Sequence, residues 1–288
     1  LLVATKNDLG KILIIDSSSE DNTVDFINEV GLEVLLIKRK EFDHGSTRAM
    51  AVNILSEKYS LKYAIFLTQD ALLVSKESIY NIIKPFDDNL VGAVCGRQIP
   101  HDNANILARH SRLFNYPSIS RVNTKLNIDE IGIKTAFMSN SFAAYNIELL
   151  QKVNGFPENI ILGEDLYVSA KMILKGYKTF YCSDSIVQHS HNYSLVEEFK
   201  RYFDIGVSHT LSINIIKQFK SPNHEGLRYL ISEISYTIKN YNLFWFCNSL
   251  IRNFLKFIAY KLGKNSLKIN KYFRKKISFN PSYWDKLD

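Results

Sequence analysis

Short apolar runs alternate with amphipathic segments along the first part of the chain. The apolar runs lie at 11–15, 33–38 and 63–67, and apolar residues recur at helical spacing over 24–30 and 47–59. Continuous short runs are typical of buried strands, whereas a period of 3.6 residues is typical of helices. We therefore predict an α/β fold, with a mostly parallel sheet covered by helices on both faces.

The second half of the chain changes character. Gly163-Glu164-Asp165 is predicted to open a helix that ends near Gly176, and residues 178–183 read as a strand running on to His189-Ser190-His191. After Leu195 the pattern is largely helical. We predict two parts, a catalytic domain at 1–194 and a helical, basic region at 195–288.

Composition excludes several classes of protein. The chain has 288 residues, of which 46% are hydrophobic and 23% charged, so it is long enough and apolar enough to bury a sizeable core. Cys95, Cys182 and Cys247 are far apart and odd in number, which indicates neither a disulfide framework nor a CxxC zinc module. A reducing compartment such as the cytoplasm fits best.

The net charge of +7 is a property of the C-terminal part. Residues 195–288 carry +9 and residues 1–194 carry −2, and ten basic residues but no acidic one lie between Ile234 and Trp284. A basic segment of this kind seeks an anionic partner, for which nucleic acid and an anionic membrane surface are the candidates.

The segment Tyr241 to Leu262 is predicted to form a basic amphipathic helix. Its apolar side holds Leu243, Cys247, Leu250, Phe254 and Ile258, and its polar side holds Asn248, Arg252 and Lys256. It could lie on a membrane, or it could pack on the catalytic domain with its basic face in solvent. No run of about 18 apolar residues indicates a spanning segment or a signal peptide.

Acidic residues follow two of the predicted strands. Asp16 and Asp70 end apolar runs, and the carboxyl ends of parallel strands meet at the crevice where α/β sheets bind ligands. Each could be an ordinary turn residue, and Glu164-Asp165 could merely cap a helix. Three such acidic sites together are more than turn chemistry requires.

Two further motifs offer candidate ligands. His189 and His191 lie on the same face of an extended segment, so they could share a metal ion, and Asp70 as an oxygen ligand suits Mg²⁺ or Mn²⁺. Without other ligands, such a pair is more often structural. The turn before the helix at 47–59 contains Gly45, and Arg48 lies in the first turn of that helix, so this segment could hold a phosphate, although Asp43 or Ser46 could simply be an N-cap.

The order of these motifs resembles the family 2 glycosyltransferases of GT-A fold, and within them the rhamnosyltransferase-like group. The matching segments are Ile14-Ile15-Asp16-Ser17, residues 42–48 (FDHGSTR), 66–71 (FLTQDA), 163–165 (GED), 176–178 (GYK), 189–194 (HSHNYS) and 199–206 (FKRYFDIG). They extend over nearly the whole chain. The resemblance implies an inverting transfer, with L-rhamnose from dTDP-rhamnose as the expected sugar and a lipid-linked or cell-surface polysaccharide such as O-antigen as the expected acceptor.

The resemblance also implies residue roles. It implies that the nucleotide-sugar donor is bound by Asp16, Ser17, Asp43, Gly45, Arg48, Gln69, Asp70 and Glu164. Asp70 would occupy the last position of the family's DxD element and bind Mg²⁺ or Mn²⁺ together with His189 or His191. Asp165 would be the general base that takes the acceptor's hydroxyl proton. An enzyme with a membrane-anchored acceptor is expected at the inner face of the cell membrane, bound peripherally.

The sequence departs from the family pattern at several places. Thr68 replaces the first aspartate of DxD, and Ala49 follows Arg48 where relatives often have Asn. Leu1 to Leu9 resembles sequence that lies after the family's opening strand, so we expect that strand, with its nucleotide contact, to be missing. A QxxRW element is absent, which argues against a processive synthase.

Other functions stay open at this point. The same fold could use another nucleotide sugar, such as a UDP-hexose. Asp70, Asp165 and the two histidines could instead serve a metal-dependent phosphoester hydrolase, and Thr68 would suit a non-catalytic nucleotide-binding protein. A nucleic-acid-binding protein is disfavoured because no recognition motif supports it.

Overall fold

The computed structural model describes residues 10–219, 225–240 and 242–287. The expectation about the opening segment, Leu1 to Leu9, lies outside the described residues. The strands are β1 Leu13–Asp16, β2 Glu33–Leu36, β3 Tyr63–Leu67, β4 Leu72–Leu73, β5 Val91–Ile99, β6 Arg121–Asn123, β7 Phe142–Asn146 and β8 Lys178–Gln188. The helices are α1 Thr23–Glu29, α2 His44–Asn53, α3 Glu77–Ile83, α4 Ile106–Asn115, α5 Ile128–Ile131, α6 Ile147–Lys152, α7 Glu164–Leu174, α8 Leu195–Leu211, α9 Ile213–Ile216, α10 Glu225–Lys239, α11 Leu243–Lys264 and α12 Lys271–Ile277.

The strands form two sheets. β1 and β2 pair in parallel as a small separate sheet, and the larger sheet has the order β3-β7-β5-β8-β4, with β6 also paired to β8. The α/β class is confirmed, but the expectation of a mostly parallel sheet is wrong. In the larger sheet only β5 and β8 pair in parallel, and the other four pairings are antiparallel. An apolar run carries no strand direction, so the sequence pattern could not show that β7 enters the sheet the opposite way.

Three strands nevertheless end at the same edge of the sheet. β3 and β5 are both antiparallel to β7, and β5 is parallel to β8, so these three strands run in the same direction. Their carboxyl ends, at Leu67, Ile99 and Gln188, therefore lie along one edge, which is where α/β sheets collect ligands.

The sheet is covered on both faces, because successive side chains of a strand point to opposite sides. One core cluster packs Ala93 and Tyr145 against Met172 of α7. The other cluster packs Val94 of β5 and Phe142 of β7, on the opposite face of the sheet, against α3. Two buried layers hold the strand ends rigidly, which a catalytic site at this edge needs.

The C-terminal helices pack closely on one another. A Cβ atom on Gly263 of α11 would lie 2.0 Å from the carbonyl oxygen of Phe203, and one on Gly206 of α8 would lie 2.3 Å from that of Tyr260. Distances this short mean that the two backbones touch. The paired glycines therefore fix how deeply α11 lies against α8.

The predicted amphipathic helix is present as α11, but the expected orientation of its basic face is wrong. Arg252 and Lys256 point inward, where each lies 2.8 Å from the carboxylate of Glu198 on α8. Phe254 and Phe257 on the opposite side are about 60% exposed. The basic face is buried because α8 supplies the opposite charge, which the pattern of α11 alone does not reveal. Among the described residues, no helix combines the length and the apolar character needed to cross a bilayer.

Candidate active site

Asp70, His189 and His191 come together at the shared strand edge. Asp70 lies in the turn after β3, and both histidines follow β8. Its Oδ2 atom is 3.3 Å from Nε2 of His189 and 3.6 Å from Nε2 of His191, and the potential ligand atoms all lie within 4.8 Å of one another. One metal ion could contact all three side chains.

Gln98, near the end of β5, orients the ring of His189. The guanidinium of Arg112 donates to Gln98 Oε1 at 3.0 Å, so that atom is an acceptor. His189 Nδ1, 2.8 Å from the same oxygen, must then carry its hydrogen. The lone pair of Nε2 is consequently directed to Asp70. Hydrogen bonds of this kind are typical of histidines that bind metals.

The residues present fit a divalent metal ion. Burial, aided by the Arg112 charge, lowers the pKa of His189 to about 4, and burial also lowers the pKa of His191. Both rings are thus neutral near pH 7, which is the form that binds metal. Thr68 Oγ1, in the turn before Asp70, is buried and has no hydrogen-bond partner among the described residues. Two imidazoles and one carboxylate suit Mn²⁺ better than Mg²⁺, which prefers oxygen ligands.

Glu164 and Asp165 form a second group at the start of α7. Glu164 is buried and bound by two donors, Arg48 NH1 and Asn140 Nδ2, both at 2.9 Å. Asp165 is less buried and accepts the backbone N–H of Asn140 at 3.1 Å and of Leu166 at 2.7 Å. The two neighbouring carboxylates therefore have different partners.

These partners separate the pKa values of the two carboxyl groups. Burial opposes ionisation of Glu164, but the Arg48 guanidinium, His44 and the hydrogen bond from Asn140 together outweigh it and hold the pKa of Glu164 below its ordinary value. Burial and the negative charge of Glu164 raise the pKa of Asp165 to about 7. A carboxylate with a pKa near the working pH is well suited to accept and release a proton.

A dipeptide connects the two groups. Gln98 Nε2 donates to Ser139 Oγ at 2.9 Å, while the next residue, Asn140, holds both Glu164 and Asp165. The sequence pattern predicts no role for Gln98, Ser139 or Asn140. The only sequence feature that could have indicated them is their position, since Gln98 lies near the end of one apolar run and Ser139-Asn140 lie just before another.

The remaining predicted donor residues have local partners. The carboxylate of Asp16 accepts from the backbone N–H and the hydroxyl of Ser19, and Ser17 lies beside it at the end of β1. Asp43 caps α2 by accepting from the backbone N–H groups of Gly45 and Ser46. Asp43 is therefore the N-cap of α2, which is one of the roles that the sequence suggests for it.

Gly45 and Arg48 also have structural partners, whereas Gln69 is exposed. A Cβ atom on Gly45 would lie 1.7 Å from the carbonyl oxygen of Pro157, so the glycine allows close packing there. Arg48 is directed to Glu164. Contacts of these residues with a nucleotide stay predictions.

The fold and the site define a GT-A glycosyltransferase. The family model described as "Glycosyl transferase family 2" matches residues 2–153, and the chain belongs to this family. It is 45% identical over 282 residues to the O-antigen chain rhamnosyltransferase RfbN of Salmonella typhimurium, covering 96% of this chain and 87% of the relative. It is 42% identical to the O-antigen chain rhamnosyltransferase WbaN of Salmonella anatum, covering 98% and 88%.

A solved structure shows the same fold. The mannosyltransferase PcManGT from Pyrobaculum calidifontis, solved with GDP-Man and Mn²⁺, superimposes with a TM-score of 0.56 at 15% sequence identity. The superposition covers 88% of this chain and 76% of that one. At this identity the likeness concerns the fold alone.

We predict that Gln98→Met weakens Mn²⁺ binding by about 10- to 100-fold, because His189 loses the acceptor that orients its ring. The measurement is a titration of Mn²⁺ followed by electron paramagnetic resonance, in the presence of dTDP. Gln151→Met, at an exposed glutamine of α6, is the matched control. Unchanged Mn²⁺ affinity in Gln98→Met, together with loss of binding in His189→Ala, would show that Gln98 has no positioning role.

Proposed function

We propose that the protein transfers L-rhamnose from dTDP-rhamnose, with inversion, to a lipid-linked polysaccharide acceptor of the O-antigen type. The identity to two O-antigen chain rhamnosyltransferases supports the sugar and the acceptor. The observation that carries the chemistry is Asp165, whose pKa is raised to about 7 and which one dipeptide connects to the Asp70, His189 and His191 cluster.

The chain supplies a base for the acceptor side of the reaction. Asp165 takes the proton of the acceptor hydroxyl as that oxygen bonds to the anomeric carbon and the bond to the diphosphate oxygen breaks. Glu164 stays ionised beside Arg48 and keeps Asp165 basic enough for this step. A Mn²⁺ or Mg²⁺ ion held by Asp70, His189 and His191 would supply positive charge for the leaving diphosphate.

The nucleotide would bind along the neighbouring turns. Asp16 ends β1 and Ser17 follows it, while Asp43 is the N-cap of α2. Gln69 lies in the turn after β3, directly before Asp70. We propose that these residues hold the base, the ribose and the diphosphate. The local bonds of Asp16 and Asp43 preorganise both carboxylates for such contacts.

Asp165→Asn is expected to reduce transfer from dTDP-rhamnose by about 10²- to 10⁴-fold, since the variant has no base at this position. Binding of dTDP-rhamnose should persist, because Asn keeps the acceptor oxygen for the backbone of Asn140. Transfer is followed with radiolabelled donor and lipid-linked acceptor, and binding by saturation-transfer difference NMR with and without Mn²⁺.

The same NMR panel includes UDP-glucose and GDP-mannose as donor controls. Stronger signals from UDP-glucose than from dTDP-rhamnose would exclude the rhamnosyl proposal and favour a UDP-hexose. Release of nucleotide at an equal rate without acceptor would instead indicate a phosphoester hydrolase. Full transfer by Asp165→Asn at saturating donor would remove Asp165 from the mechanism.

The pH profile should reflect Asp165. Its pKa is raised to about 7, so the carboxylate form, which is the active base, is lost as the pH falls through 7. We expect kcat/KM to rise with pH around a midpoint near 7 and then level off. Glu164→Gln removes a negative charge that raises this pKa, so its midpoint should move to lower pH. A midpoint that stays in place in Glu164→Gln would contradict the assignment.

We further propose that the exposed apolar face of α11 contacts the membrane that carries the acceptor. This face, called the α11 stripe below, consists of Leu243, Phe244, Leu250, Ile251, Phe254 and Phe257, each more than 40% exposed. Lys261 and Lys264 follow it on the same helix and are exposed, and residues 234–284 contain no acidic residue. Apolar side chains beside lysines are typical of helices that lie in the interface of anionic membranes.

The double variant Phe254→Ser/Phe257→Ser should bind vesicles containing phosphatidylglycerol at least tenfold more weakly, because two rings no longer enter the interface. Co-sedimentation with vesicles of phosphatidylglycerol and phosphatidylcholine measures the partition. Leu126→Ser, at a 90% exposed residue outside α11, is the matched control. Equal binding by the double variant and the wild type would exclude the α11 stripe as the membrane contact.

A further inference from the structure

A cavity of about 290 Å³, partly open to solvent, lies between four helices next to the candidate metal cluster. Residues from α4, α8, α10 and α11 line it, and it reaches His191 and Tyr193. This volume is close to the lower end of the range for small-ligand pockets, about 300 to 1,000 Å³. The cavity is therefore large enough for a ligand of monosaccharide size.

Two residues of the cavity wall, Glu233 and Arg112, carry buried polar atoms that lack partners among the described residues. Glu233 of α10 is fully buried, and its Oε1 atom accepts from Ser249 and Asn253 at 2.6 Å. Its Oε2 atom and the Nε atom of Arg112 have no hydrogen-bond partner among the described residues. His110 Nδ1, also unpartnered, is 3.9 Å from Glu233 Oε2, too far for a hydrogen bond.

These unpartnered groups indicate which ligand chemistry would fit the cavity. A buried polar group without a partner is energetically costly, so such groups are normally satisfied. Glu233 Oε2 needs a donor and, as a carboxylate oxygen, repels an anion such as phosphate, while Arg112 Nε needs an acceptor. A hydroxyl group both donates and accepts, so a ligand with several hydroxyls would satisfy both atoms.

The cavity wall is rich in aromatic rings. The rings that line it belong to Tyr116, Phe137, Tyr193, Tyr202 and Tyr229. An aromatic ring offers a flat apolar surface, which matches the C–H face of a pyranose ring. Two of the four cations of the wall, Arg252 and Lys256, are already paired with Glu198 and so do not require an anionic ligand.

The position of the cavity agrees with an acceptor site. Phe137 of the cavity wall lies three residues before Asn140, whose backbone N–H donates to Asp165. At the other end, His191 belongs to the metal cluster. A ligand in the cavity would thus lie beside both the base and the leaving-group side of the reaction.

We propose that this cavity, with Glu233 in its wall, binds a pyranose ring of the acceptor glycan. The proposal rests on the proposed function, because it identifies where that reaction's acceptor is held. Glu233 would accept hydroxyl hydrogen bonds from the sugar, and the tyrosines would pack on its ring.

The test is saturation-transfer difference NMR with methyl α-L-rhamnoside, methyl α-D-mannoside and methyl α-D-galactoside, on the full chain without donor. We expect at least one glycoside to give a signal. In Glu233→Gln that signal should fall at least fivefold, because an amide NH₂ replaces the unpartnered oxygen while the other oxygen still accepts from Ser249. Ala108→Phe, which fills the cavity from α4, should abolish the signal even if Glu233→Gln folds poorly.

Thr237→Val is the matched control on the same helix. Thr237 is buried one turn beyond Glu233 and outside the cavity wall, and its hydroxyl donates only to the carbonyl of Ile234. The glycoside signal should be unchanged in this variant.

Titration with dTDP and Mn²⁺ separates the two proposals. Binding of dTDP without any glycoside signal, or a signal that persists in Ala108→Phe, would overturn the acceptor cavity and leave the proposed transfer intact. Glycoside binding without dTDP binding would support the acceptor cavity and contradict the proposed transfer from a dTDP-sugar. A response to inorganic diphosphate in place of the glycosides would identify an anion site and overturn the proposal.

Discussion

The buried ion pair between Arg48 and Glu164 sets the electrostatics of the whole site. It joins α2 to the start of α7, and it keeps one carboxylate charged inside the protein. Because Asp165 is buried and that charge lies next to it, the pKa of this second carboxyl group is raised to about 7. Two adjacent carboxyl groups with separated pKa values are a recurring basis for acid and base chemistry in enzymes.

Backbone architecture places the candidate metal ligands at the same edge as this pair. β3, β5 and β8 end at one edge of the sheet, and the turns that follow β3 and β8 carry Asp70, His189 and His191. Gln98 and Asn140 then connect the ligands to the carboxylates through direct hydrogen bonds. These side chains are thus positioned by contacts within the protein, as a preorganised site requires.

The C-terminal helices complete the site from outside the sheet. Arg252 of α11 donates to the backbone carbonyl of Tyr193, two residues after His191, and is paired with Glu198 of α8. The helix therefore supports the histidine segment and encloses the cavity with its polar face. Its apolar face is left exposed, which brings the proposed membrane contact and the proposed acceptor cavity onto opposite sides of one helix.

The local sequence pattern predicts strands at 33–38 and 63–67, close to the observed Glu33–Leu36 and Tyr63–Leu67, the helix that begins at Glu164, and the shared face of His189 and His191. These features depend on local periodicity and on the alternation of side chains along an extended chain. The tertiary structure decided the direction of β7, the roles of Gln98 and Asn140, and the inward turn of Arg252 and Lys256. Strand direction and buried polar contacts depend on partners distant in the sequence, and Glu198 makes the basic face of α11 an interior surface only once α8 lies beside it.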